Sequence, residues 1–110
     1  MTTPVHATAL IAEDEPLLAQ ALQADLAAVW PALKVLSHAV DGEQACDDAL
    51  ALRPEVIFLD TRMRGRSGLE AAQAIVEDWP ADQPLPLIVF VTAYDQYAVQ
   101  AFELAACDYL

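Results

Sequence analysis

The sequence predicts an α/β domain built on a parallel sheet with helices on both faces. Three observations carry that prediction. Short apolar runs alternate along the chain with segments whose apolar residues recur every three or four positions. The runs are largely apolar rather than in strict alternation, as strands buried on both faces are. Prolines follow the periodic segments, and proline cannot continue a helix because it lacks an amide proton.

The strand candidates are Ala7–Ala12, Lys34–Val40, Glu55–Leu59 and Pro86–Val91. Each is too short for a globular helix of usual length, and the later ones are rich in Val, Ile and Phe. Between them, Leu18, Leu22, Leu26 and Val29 form one helical stripe, ended by Trp30-Pro31. Ala45, Ala49 and Leu52 form a weaker second stripe that stops near Pro54. Leu69, Ala72, Val76 and Trp79 form a third, closed by Pro80, and Ala98, Ala101, Phe102 and Ala105 suggest a fourth. Strand–helix alternation with right-handed crossovers leaves few topologies.

The bulk properties narrow the function. At 110 residues the expected organisation is one domain, without linker, repeat or low-complexity stretch. A hydrophobic share of 56% is that of a globular chain rather than a disordered one. A formal charge of −12 with five basic residues argues against direct contact with nucleic acid, which needs clustered Lys and Arg. Three of those five, Arg62, Arg64 and Arg66, crowd into one loop and read as a solvated face. Met1–Thr8 lacks the pattern of a signal peptide, and no apolar run approaches a membrane span. Cys46 and Cys107 are too few and too far apart for a disulfide framework or metal site, and a reduced, cytoplasmic setting is expected. His6 and His38 are isolated, so a structural role is expected for His38 on its strand.

Open parallel sheets bind ligands beyond the carboxyl ends of their strands. The residues there are Glu13-Asp14-Glu15, Asp41-Gly42, Asp60 and Thr92-Ala93. Glu13, Asp14 and Asp60 converge if the first and third strands are neighbours. Two carboxylates about 5 Å apart repel by about 3 kcal/mol at an effective dielectric near 20, so something positive is needed between them. Magnesium is the natural candidate, because it takes hard oxygen ligands and is commonly held by one or two carboxylates. Thr92 adds a hydroxyl able to donate to a phosphoryl oxygen, and Gly65 and Gly68 are expected to keep the loop after Asp60 flexible. A plainer reading stands beside this one: Asp14, just before Pro16, also suits a helix N-cap.

In order and spacing these segments resemble the receiver domain of two-component response regulators. Leu10-Ile11-Ala12-Glu13-Asp14-Glu15-Pro16 is similar to the family's acidic strand end, and Val56-Ile57-Phe58-Leu59-Asp60 to its phosphoacceptor strand. Gly65-Arg66-Ser67-Gly68-Leu69-Glu70 resembles the loop and helix start that follow, and Phe90-Val91-Thr92-Ala93 the strand with the switch hydroxyl. Tyr94-Asp95-Gln96-Tyr97-Ala98, Ala101-Phe102 and Asp108-Tyr109-Leu110 resemble the branch that often carries a LytTR-type DNA-binding domain.

The resemblance implies a flavodoxin-like receiver fold of strand order 2-1-3-4-5 over residues 1–110. It implies phosphorylation of Asp60 by a sensor histidine kinase, and Mg2+ bound by Asp14 and Asp60, by Glu13 through water, and by the carbonyl of Arg62. Thr92 becomes the switch hydroxyl and Tyr109 the aromatic switch position. The chain is then a signalling switch rather than an enzyme, tied in the full-length protein to an output domain that controls transcription. Rival readings are a phosphohydrolase, which wants a second acid where Arg62 stands, and a scaffold that is never phosphorylated. Two departures stand out. Met63-Arg64 replaces the family's Met-Pro, and the family's Lys would lie just past Leu110. The fifth strand is therefore expected to be incomplete and the last helix missing. An exposed edge on the fourth strand then favours association, as a homo-oligomer or a domain-swapped dimer.

Overall fold

The computed structural model describes residues 6–63 and 65–91. Seven elements alternate along them: β1 (Ala7–Ala12), α1 (Pro16–Val29), β2 (Leu33–Ala39), α2 (Gly42–Leu52), β3 (Val56–Asp60), α3 (Gly68–Asp78) and β4 (Leu87–Val91). The four apolar runs are thus four strands, each within a residue of its expected bounds. They form one sheet of order β2-β1-β3-β4, with every pairing parallel. Order reverses between β1 and β3, so the carboxyl ends of these two neighbours form the natural ligand crevice of the sheet.

The two sheet faces bury different sets of side chains. Leu10, Ala12, Ile57 and Leu59 pack with Ala45, Ala49, Ala71, Ile75 and Trp79 beneath α2 and α3. Ala9, Ile11, Val56, Phe58 and Val89 pack on the opposite side with Leu22, Leu26 and Trp30 from α1. Small alanines on α2 and α3 let these helices lie close to the strands. The result is a doubly wound sheet, as the largely apolar strands predicted.

Each helix begins for a local reason. Pro16 opens α1, where its missing amide costs nothing. Asp41 caps α2 by accepting from the Gln44 amide at 2.8 Å. Ser67 and Glu70 form a full capping box on α3. At the other end of α2, the Arg53 amide still donates to the Ala49 carbonyl, and its left-handed conformation (φ 50°) turns the chain out of the helix.

The stripes need adjustment. Val29 is 79% exposed, Leu69 64%, and Leu52 and Val76 are also largely in solvent. The buried face of α3 is Gly68, Ala71, Ala72 and Ile75 with Trp79 at its end, rotated from the expected stripe. Apolar residues occupy both sides of this helix, and the periodicity alone does not say which side meets the sheet. The expected fourth helix, the remnant of a fifth strand, Thr92 and Tyr109 lie outside the described residues, while β4, whose edge was expected to favour association, is the end strand of the described sheet.

Candidate functional site

Glu13, Asp14 and Asp60 do converge. One ligating oxygen from each lies within 4.8 Å of the others. Backbone topology makes this possible: β1 and β3 are hydrogen-bonded neighbours in register, Ala12 against Leu59, so the next residues of both strands emerge side by side. Glu13 is 7% exposed and Asp60 9%, while Asp14 is half-buried at the rim. Glu13 and Asp60 are the buried charged residues among the described residues.

Removal from water dominates the electrostatics. Burial pushes the Glu13 carboxyl up to about 7, helped by Asp60 and Asp14 beside it and opposed by the Glu15 amide. That amide donates to Glu13 Oε2 at 3.1 Å. Below about pH 7 the cluster therefore holds a proton in place of one of its negative charges. Asp60 Oδ1 accepts from the Arg62 amide at 3.1 Å, which orients the carboxylate as the chain leaves β3.

The N-cap reading of Asp14 gives way. The residue at the cap of α1 is Glu15, and its side chain makes no capping bond. The flexible-loop reading of the glycines is also corrected. Gly65 does take a left-handed φ of 73°, but Gly68 is buried against the Asp60 carbonyl and Thr61 Cα, where a side chain has no room. Its role is close packing.

Arg66 keeps the solvated position expected of the loop arginines but makes specific contacts there. Its Nε pairs with Glu43 Oε1 at 3.0 Å, and its Nη1 donates to Cys46 Sγ at 3.5 Å. Arg66 Cβ and its carbonyl also lie against Gly42, so the loop after β3 is seated on the start of α2. No local sequence signal shows this contact, because Arg66 and Glu43 are distant in the chain. His38 has the structural role expected of it: its Nε2 donates to the Glu13 carbonyl at 2.8 Å. Thr92 and Tyr109 lie outside the described residues. Arg62 is exposed, with its amide turned to Asp60.

A parallel sheet with an acidic cluster at its strand-order reversal defines a class of α/β proteins suited to hard cations and phosphoryl groups. Comparison with known proteins makes the class specific. The response regulator receiver domain model matches residues 9–110, and the chain belongs to that family. It is 46% identical over 104 residues to an uncharacterized response regulatory protein of Vibrio cholerae, covering 94% of this chain and 38% of that protein. It is 37% identical over 102 residues to the positive alginate biosynthesis regulatory protein of Pseudomonas aeruginosa, covering 92% and 39%. The sensory transduction protein LytT of Enterococcus faecalis is 34% identical over 101 residues, covering 92% and 40%. The chain thus spans about two-fifths of the length of these relatives. Among solved structures, the receiver domain of AraT from Geobacillus stearothermophilus superposes with a TM-score of 0.72 at 25% identity, covering 94% of this chain and 75% of that one. The response regulator domain of CheB from Thermotoga maritima shares the fold, with a TM-score of 0.69 at 24% identity over 90% of this chain and 72% of that one.

Proposed function

We propose that this domain is a phosphorylation-controlled switch in which Asp60 accepts a phosphoryl group from a sensor histidine kinase. The observation that carries the reading is the meeting of Glu13, Asp14 and Asp60 at the carboxyl ends of β1 and β3. In the transfer, an Asp60 carboxylate oxygen forms a new bond to phosphorus as the donor's P–N bond breaks. The electron pair stays with the departing imidazole, which takes up a proton. Such a step is mainly positioning and charge stabilisation, with little covalent work left to the protein.

The donor set fits Mg2+. It consists of hard carboxylate oxygens, two of them buried, one retaining a proton that a cation can replace. Asp14 and Asp60 would hold the ion directly, Glu13 through water, and the Arg62 carbonyl would add a further ligand. When bound, the ion neutralises the carboxylates and the charge on the transferring group. The Arg62 amide holds Asp60 in orientation. Thr92 is assigned the hydroxyl that reaches for the phosphoryl oxygen, and Tyr109 the aromatic position that follows it.

Addition of about −1.5 to −2 charge at a cluster already rich in carboxylates is the input to the switch. In the full-length protein the output is a DNA-binding domain controlling transcription in the cytoplasm, in keeping with relatives named as regulatory proteins. The described helices include none long and apolar enough to cross a membrane.

Incubation with a small acyl phosphate and Mg2+, followed by intact-mass measurement, tests the reading. The chain should gain one phosphoryl group, and Asp60→Asn or a chelator should prevent it. Equal labelling of Asp60→Asn would overturn the acceptor assignment.

A further inference from the structure

The strand β2 carries an irregularity that bears on the acidic cluster. Its register against β1 slips between Ala9 and Leu10: Ala9 pairs with Val35, but Leu10 pairs with Ser37, leaving Leu36 as an extra residue. A slip of one residue exchanges the two faces of a strand. Beyond it, Ser37 turns to α2, where its hydroxyl donates to Asp48 Oδ2 at 2.8 Å, and Ala39 joins the core beneath α2. His38, between them, is directed to the other face, opposite Ile11. Without the extra residue, His38 would lie on the α2 side.

What the slip achieves is a bond at the end of the ladder. The Glu13 amide donates to the Ala39 carbonyl at 3.0 Å, the last main-chain bond between these strands. β2 stops at Ala39, and the donor to the Glu13 carbonyl is the His38 ring at 2.8 Å. A carbonyl can only accept, so Nε2 carries the proton. This carbonyl belongs to the peptide unit joining Glu13 to Asp14. The orientation of that one plane sets ψ of Glu13 and φ of Asp14, and hence how the two carboxylates project relative to each other.

We infer that His38 is a positioning residue for the cation site, fixing the Glu13–Asp14 peptide so that both carboxylates meet Asp60. The inference deepens the Mg2+ reading above and rests on it. Groups that hold ligands in place commonly change metal affinity about 10- to 100-fold when removed. Gln presents its side-chain nitrogen where histidine presents Nε2, whereas Asn is one carbon too short to reach.

The test is Mg2+ titration by calorimetry on the wild-type chain and on His38→Gln, His38→Asn and His38→Leu, with melting of each in a chelator. His38→Leu and His38→Asn should weaken Mg2+ about tenfold or more, and His38→Gln should stay within about threefold of wild type. The apo Asp14 amide resonance should shift in the first two and remain in place in His38→Gln. If His38→Leu does not fold, the Gln and Asn pair decides alone. Lowered melting with Mg2+ affinity unchanged in Asn and Leu would mean that His38 only supports the fold, and would overturn the inference. A wild-type chain that binds no Mg2+ would overturn the metal reading itself, a distinguishable failure.

Discussion

The main-chain carbonyl of Asp60 occupies the space that a Cβ on residue 68 would need, with Thr61 Cα only 2.8 Å from the same point. The helix that follows the loop after β3 is therefore seated directly on the backbone of Asp60. Gly68→Ala should show this. Helix propensity alone favours Ala by about 1 kcal/mol, yet the clash is with backbone and cannot be relieved by a rotamer change. We expect a net loss of about 1–3 kcal/mol in urea unfolding, with disturbance of the Asp60 amide resonance. Unchanged or increased stability would mean that the contact relaxes freely.

Ser67 and Glu70 satisfy each other's neighbouring amides at the start of α3, at 3.2 and 3.3 Å. Ser67→Ala removes the cap and leaves the Glu70 amide without its acceptor. The expected cost is about 1 kcal/mol in equilibrium unfolding. Ser67→Asp should retain most of the stability, since a carboxylate also caps and suits the positive end of the helix.

Glu13 gives metal-free stability a definite pH dependence. Its carboxyl titrates near 7 in the folded chain, against an ordinary value of 4.5. Between those values the folded state holds a proton that the unfolded state has released, so this residue's contribution to stability falls as pH rises through that window. Above pH 7 the penalty is complete. Glu13→Gln should therefore match wild type near pH 4 and exceed it at pH 8 by on the order of 1–2 kcal/mol, after allowance for solvent screening. Chemical denaturation in chelator at both values is the measurement, and a constant difference across the range would contradict it.

The same proton predicts how Mg2+ affinity varies. A cation entering the cluster displaces it, so affinity should rise with pH below about 7, by up to about tenfold per unit for one proton released. Calorimetry in buffers of different ionisation enthalpy would reveal the released proton directly. Glu13→Gln should flatten the dependence, and Asp14→Ala should weaken binding at every pH while costing the apo fold little. Several degrees of melting temperature lost in metal-free Asp14→Ala would instead assign Asp14 a structural role.

What the sequence determined by itself was the fold class and the place of its acidic cluster. Runs such as Val56–Leu59 are apolar at every residue, which only burial on both faces explains, and prolines after the stripes bounded the helices. Acidic residues placed just after two such runs were enough to locate the cluster, because parallel strands all deliver their carboxyl ends to one edge. The tertiary structure alone decided which side of α3 is buried, since Leu69 and Val76 are spaced as regularly as Gly68 and Ile75, and only the second pair meets the sheet. It also decided the fate of Arg66 and Gly68: Glu43 reaches Arg66 only when the loop after β3 docks on α2, and Gly68 meets the Asp60 backbone only as that loop folds back. The slip at Leu36 that turns His38 toward the Glu13 carbonyl belongs there too. A bulge follows from how two strands share hydrogen bonds, and neither strand's sequence states its register against the other.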